Sequence, residues 1–404
     1  MKKRFLPILI FVLLFLLSCA QRPPQPTPKP EPNPPPSPPS NAKVKTEFLL
    51  MGYKSPVGQT DNLDAVLDRK KTIYRSIKNL SSKNNIVIIY DASGSMREKL
   101  EEKGPKRYEA AYEGLKHIGT LFGPFDHLKL FVFGSKKPSG ITHEGIIVRK
   151  DYIRAMEASG DVELVYSSSQ EGFHEKDFLA AVNFLNSEKS YIGDTPIGYA
   201  VLKVHEALKG TPDAKVILIT DGEETGPLLA QSISKDKAWE ERLRKTYPNY
   251  DELTISASDA IKKLVSDNIH FSPIIYGLRI SVPGGHMREK EIQSIREFYS
   301  KLAKESDSAY LEAVTPLELL NVFMDAEMMS LTYGLYSLDP DKKNQPVAKG
   351  KIGISLMVEE GRYLLKTDTE QPFQQEVELK PQVKNVYFFD IDKEGNLKIF
   401  REGR

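Results

Sequence analysis

Two rhythms of apolar and polar positions organise this chain beyond its first sixty residues. Residues 61–80, "DNLDAVLDRKKTIYRSIKNL", set Leu63, Val66, Leu67, Ile73, Ile77 and Leu80 three and four apart with charges between them, which predicts an amphipathic helix. From residue 85 short apolar runs alternate with helical patterns. "NIVIIY" leads to a helix near 107–122, then come "LKLFVFG" at 128–134, a weaker "VELVY" at 162–166, and helical patterns at 175–187 and 195–209. "KVILIT" at 215–220, "FSPIIYGL" at 271–278, a charged helix at 287–305, "SAYLEAV" at 308–314 and a helix from Thr315 to about Tyr333 follow. Strands apolar on both faces, alternating with helices, predict an α/β fold: a doubly wound, mostly parallel sheet covered on both sides. Ligands bind such sheets beyond the carboxyl ends of the strands.

After Tyr333 the period shortens to two. "KIGISLMV", "RYLLKT", "QQEVELK", "NVYFFDI" and "NLKIF" are separated by "EEG", "KPQ" and "DKEG", which are turn chemistry. A small antiparallel β domain over 337–404 is expected, loosely similar to the β-sandwich modules appended to exported bacterial binding proteins.

The start of the chain follows neither rhythm. Lys2, Lys3 and Arg4 precede an apolar run from Phe5 to Leu17, the layout of an export leader and too short for the roughly 20 residues that span a bilayer. The run ends in "LLSC", which resembles the lipobox of bacterial lipoproteins. That resemblance implies cleavage after Ser18 and lipidation of Cys19, the only cysteine in the chain and so unable to form an internal disulfide. Eleven of the residues from 21 to 39 are proline, a density that excludes helix and sheet and favours a polyproline II spacer of roughly 60 Å. The expected organisation is a leader over 1–18, a lipidated, proline-rich linker over 19–45 and a helical extension over 46–83. An α/β domain over 84–333 and the β domain complete it.

Composition adds little to this picture. Fifty-six basic residues against fifty-five acidic ones give a formal charge of +1, and loss of the leader would shift it to −2. No global field therefore points to nucleic acid.

The chemistry sits at the ends of the strands. "DASGS" places Asp91, Ser93 and Ser95 directly after one apolar run, "ITDGEE" places Asp221 after another, and "GDTPIG" places Thr195 at a helix start. Alternate positions of the first segment can converge if Gly94 permits a tight turn. Carboxylate and hydroxyl oxygens are what a hard divalent cation accepts.

Three such segments in this order resemble the von Willebrand factor A domain and its metal-ion-dependent adhesion site, over roughly residues 84–333. The resemblance implies that Ser93, Ser95 and Thr195 approach the cation through their hydroxyls, with Asp91 and Asp221 acting directly or through water. The cofactor would be Mg2+, or another divalent cation such as Mn2+ or Ca2+. The partner would be a protein presenting an Asp or Glu to a site whose hydroxyls leave the metal poorly neutralised. The implied protein is no enzyme. It would be a cell-envelope lipoprotein held to the membrane only by its lipid, with Ala20 favouring the outer membrane.

Two other readings compete. A magnesium-dependent phosphoryl-transfer hydrolase also places an aspartate after a first strand, but Ser93 stands where such phosphatases carry a second acid, leaving no evident proton donor. A purely structural envelope protein would use the metal to staple loops. Between "ITDGEE" and the next strand lie nearly fifty residues where one helix needs about 10 to 15. The excess, from about Thr225 to Leu253, carries Trp239, Tyr247 and Tyr250, either as a partner-binding rim or as rings that pack the insertion. Glu223 and Glu224 add acid nearby, which a helix start explains equally well.

Overall fold

A computed structural model describes residues 43–50, 63–78, 85–100, 104–141, 151–211, 214–222, 224–278, 289–308, 310–328, 331–338, 345–369, 371–381, 383, 385–392, 394 and 396–401. The leader, Cys19, the proline-rich stretch and Glu223 lie outside the described residues.

The central sheet contains β2 (Asn85–Asp91), β3 (His127–Phe133), β4 (Val162–Ser167), β5 (Lys215–Thr220), β6 (His270–Tyr276) and β7 (Leu311–Ala313), in the order β4-β3-β2-β5-β6-β7. Every neighbouring pair is parallel except β3 and β4. The period of two in each strand feeds two cores. Ile86, Ile88 and Tyr90 enter one while Val87 and Ile89 enter the other, and Ile217 and Ile219 are opposed in the same way by Val216 and Leu218. Helices α2 (Arg107–Gly119) and α11 (Pro316–Met328) cover the first face; α5 (Ile197–Ala207), α9 (Ala257–Ser266) and α10 (Glu289–Glu305) cover the second. The chain is a doubly wound α/β protein. Its connections run outward from β2 and β5 in opposite directions, so the crevice of the sheet opens at the carboxyl ends of these two strands.

The remaining helices in chain order are α1 (Leu63–Lys78), α3 (Tyr152–Ser159), α4 (Glu175–Val182), α6 (Gly226–Ser234), α7 (Lys237–Thr246) and α8 (Tyr250–Leu253). Ile73 and Ile77, two positions of the expected apolar stripe, lie in the first core together with Tyr74, although Leu80 and the side chains of Leu63 and Val66 fall outside the described residues. The long segment after β5 is neither loop nor single helix. Asp236 caps α7 by accepting from Trp239 N at 3.3 Å and Ser256 caps α9 by accepting from Asp259 N at 3.1 Å, so the insertion is broken at polar caps into α6, α7 and α8 ahead of α9.

The expected helical extension over 46–83 needs correcting. Its first part is not helical: β1 (Lys43–Leu50) is an interior strand of a four-stranded sheet β10-β1-β13-β14, formed with β10 (Leu356–Glu359), β13 (Asn385–Ile391) and β14 (Leu397–Arg401). Residues 43–45, assigned to the linker, belong to the same strand. The opposing sheet, β12-β11-β8-β9, contains β8 (Thr332–Ser337), β9 (Pro346–Lys351), β11 (Gly361–Thr367) and β12 (Gln374–Leu379). Helix α11 therefore ends at Met328, short of the expected Tyr333, because Tyr333 and Leu335 are claimed by strand pairing to β11. The β domain is antiparallel apart from one pair, β1 with β13. Tyr333, Leu335, Tyr363, Leu365, Val358, Tyr387 and Phe389 join the same apolar cluster as Ile86 and Ile217, so the sandwich is continuous with the wound sheet.

Candidate functional site

The polarity change at the end of β2 has a backbone cause. Beyond Asp91 the chain leaves the ladder with a last hydrogen bond from Ala92 N to Phe133 O at 2.9 Å, then forms a 3-10 turn over Gly94–Arg97. Gly94 is not required for tightness, since a side chain there would meet nothing closer than 3.7 Å. The close approach lies underneath. Gly134, at φ +75°, and Gly193 are packed so that a Cβ on Gly134 would lie 2.9 Å from Ser93 N and one on Gly193 would lie 2.6 Å from Gly134 Cα. These glycines let the loops after β2 and β3 and the loop before α5 lie directly on one another, with Gly94 N donating to Gly193 O at 3.0 Å.

This stacking brings the five anticipated residues to one place. Asp91 is fully buried; its Oδ1 accepts from Ser93 N at 2.7 Å and its Oδ2 from Thr220 Oγ1 at 2.5 Å. Ser93 Oγ and Ser95 Oγ lie 3.0 Å apart, and Ser95 Oγ donates to Asp221 Oδ1 at 2.7 Å. Thr195 stands beside Pro196 at the head of α5, with its carbonyl accepting from Thr225 N at 3.1 Å. A Cβ on Gly222 would fall 3.6 Å from Ser95 Oγ and 3.7 Å from Thr195 Oγ1, so this glycine leaves the space between the two hydroxyls open. Tyr299 of α10 holds the Gly222 carbonyl at 2.6 Å and fixes the loop.

Burial, and after it the charge of Asp221, pushes the Asp91 carboxyl well above the usual carboxylate range, against the lowering effect of the Ser93 and Thr220 hydrogen bonds. Among the described residues the cation that reaches the pair is Arg107 at the start of α2, 6% exposed, whose Nη1 donates to Asp221 Oδ2 at 2.8 Å. Among the described residues no three of His, Cys, Asp and Glu converge on a point, so any cation here would rest largely on hydroxyls. Three hydroxyls and two carboxylates around an open gap are oxygen donors of the kind a hard divalent ion accepts, and the set is short of positive charge.

Several participants had no sequence signal. Arg107 reads as an ordinary helix residue, and Asp194 as a turn acid until it is seen accepting from Ser139 Oγ and Gly140 N, which fixes the loop before Thr195. Glu224 does not add charge to the cluster. Its Oε1 accepts from Gly198 N at 3.0 Å, tying the loop after Asp221 to the helix of Thr195, and burial raises its carboxyl to about 7 against the lowering effect of the Ala257 and Gly198 amides.

The aromatic rim is corrected in part. Tyr250 is buried, 4% exposed, in a third core with Tyr152, Met156, Tyr199, Leu229 and Leu243, and so does not offer its ring to a partner. Trp239 packs edge-on to Tyr152 at 6.0 Å and Tyr247 is partly buried against the same core. These rings hold the insertion against α3 and α5.

No family profile matches the chain, and no curated protein matches it. Among solved structures it is similar to a von Willebrand factor type A protein from Catenulispora acidiphila, at 14% identity and TM-score 0.36, covering 74% of this chain and 66% of that one. The pilus adhesin SpaC from Lactobacillus rhamnosus GG matches at 12% identity and TM-score 0.36, over 74% of this chain and 44% of that one. Manganese-loaded Plasmodium vivax TRAP protein matches at 13% identity and TM-score 0.34, over 75% and 94%. The chain thus spans less than two thirds of the first two structures. The fold stands on its own strand order.

Proposed function

We propose that this site binds Mg2+ or another divalent cation, and through it a carboxylate of a protein partner. The observation that carries the reading is the gathering of Ser93, Ser95, Thr195, Asp91 and Asp221 at the carboxyl ends of β2 and β5, around the gap left by Gly222. Bound there, the cation would supply an electrophilic position for an anionic oxygen. The chain's own residues do the rest. Ser93, Ser95 and Thr195 present neutral oxygens, Asp91 and Asp221 provide charge directly or through water, and Tyr299 and Glu224 keep the contributing loops in place. Ser93 occupies the position where an aspartyl-nucleophile phosphatase carries its second acid, which favours docking over turnover.

We further propose that the chain is anchored in the cell envelope through a lipid on Cys19, on the outer rather than the inner membrane, as a von Willebrand A-type adhesion module on a proline-rich spacer. Thermal unfolding with and without Mg2+ tests the cation. Wild type should gain stability with Mg2+ and Ser95→Ala should gain much less; the same gain in both would sink the reading.

A further inference from the structure

Arg107, which the sequence gives no reason to notice, is held by its backbone, its stem and two acids. Residues 98–100 and 104–107 bond back to each other, with Leu100 N donating to Pro105 O at 3.0 Å and Arg107 N to Glu98 O at 2.9 Å, which sets the head of α2 beside Asp221. The Arg107 stem crosses Gly277, where φ is +79° and a Cβ would lie 3.0 Å from Arg107 Cδ, so a side chain there would displace it. Its guanidinium then meets two acids: Nη1 donates to Asp221 Oδ2 at 2.8 Å, and Nη2 lies 3.3 Å from Glu98 Oε2. Nε, buried, has no hydrogen-bond partner among the described residues, so the charged contacts fix the group.

Resting on the cation reading above, we infer that Arg107 sets the electrostatics of the site, weakening its grip on the cation and leaving the bound cation incompletely neutralised. Asp221 turns one oxygen to Ser95 and the other to Arg107, so its negative charge is shared before any metal arrives. Asp91 and Asp221 would by themselves balance a divalent ion. With Arg107 added, and Glu98 offsetting it only from a position 41% exposed to screening solvent, the loaded site keeps an excess positive charge in its buried part. Such a site attracts an anionic group from a partner and releases the cation readily. Glu98, 41% exposed at its side chain, draws on the same guanidinium and acts in the opposite sense.

The test is calorimetric titration of the full chain with Mg2+ alone at fixed ionic strength, comparing wild type with Arg107→Gln and Glu98→Gln, each checked for cooperative thermal unfolding without metal. Arg107→Gln removes the repelling charge, while the Ser95 hydrogen bond still orients Asp221; it should bind Mg2+ at least tenfold more tightly. Glu98→Gln leaves Arg107 less neutralised and should bind a few-fold more weakly. If Arg107→Gln does not unfold cooperatively, Glu98→Gln decides alone. Unchanged or weaker binding by Arg107→Gln, or unchanged or tighter binding by Glu98→Gln, overturns the inference while leaving the cation site standing. Wild type that takes up no Mg2+ overturns the site reading and this inference with it.

Discussion

The two ends of the central sheet both bury charge, and they bury it differently. At the amino ends of the strands Lys215 Nζ lies 3.2 Å from Glu327, Lys78 Nζ lies 2.9 Å from Asp126, and Lys78 also donates to Tyr74 at 3.3 Å. Two cations meet two anions, and the network ties β5, α11, α1 and the turn before β3 into one body. At the carboxyl ends, among the described residues, the buried Asp91 and Asp221 lie together while one guanidinium, Arg107, bonds to Asp221 and to the half-exposed Glu98. Lys215 and Lys78 hold the Glu327 carboxyl below the usual range despite its complete burial, whereas the Asp91 carboxyl is pushed above it. Burial of charge is common to both ends. Imbalance is what separates the proposed site from a staple.

Breaking the balanced end should have the largest effect. Glu327→Ala would strand Lys215 in the interior and is expected to lose about 3–5 kcal/mol in urea unfolding. Replacing both partners, Lys215→Met with Glu327→Met, should recover most of that loss, because a buried pair is worth little more than apolar packing of similar volume. A double replacement as damaging as the single one would show that the network does more than balance itself.

The unbalanced end should respond in the other direction. Asp91→Asn removes one of two facing charges and keeps an acceptor for Ser93 N, so without metal it should be at least as stable as wild type. At a Mg2+ concentration of 100 Kd, wild type should gain about 2.7 kcal/mol and the variant almost none. Parallel gains in both would erase the contrast between the two ends.

A smaller effect sharpens the comparison through pH. The Glu224 carboxyl is raised to about 7 from an ordinary 4.5, so between those values the folded chain keeps a proton that the unfolded chain releases. Its contribution is therefore lost as pH rises through that window, and the full penalty is present above about 7. Glu224→Gln should flatten the fall in stability between pH 4.5 and 7.5 by about 2–3 kcal/mol relative to wild type, measured without metal. Identical slopes would mean that its carboxyl is not raised.

Much of this is legible in the sequence. "KVILIT" coincides with β5 residue for residue, and the place where each central run turns polar fixes the carboxyl end of the crevice, because strand burial and loop chemistry are both local in sequence. Arg107 was not readable: its meaning depends on Asp221, 114 residues away, and on the missing side chain at Gly277. Nor was β1. Lys43–Leu50 carries an alternating pattern, but its two neighbours lie beyond residue 355 and nothing nearby pairs with it. The rings of the insertion were ambiguous for a related reason, since only the fold decides whether an aromatic residue such as Tyr250 faces solvent or Leu229.

The insertion of β1 between β10 and β13 also has a consequence in time. Thr46 bonds to Asn385 across 339 residues, so β1, the first strand among the described residues, cannot find this neighbour until residue 385 has been made. At about 5–20 residues per second, synthesis leaves that strand waiting on the order of tens of seconds, long enough for the wound sheet between them to form first. A chain released before Asn385 would leave β1 without its parallel partner, so the closing of that sheet registers that synthesis has passed β13.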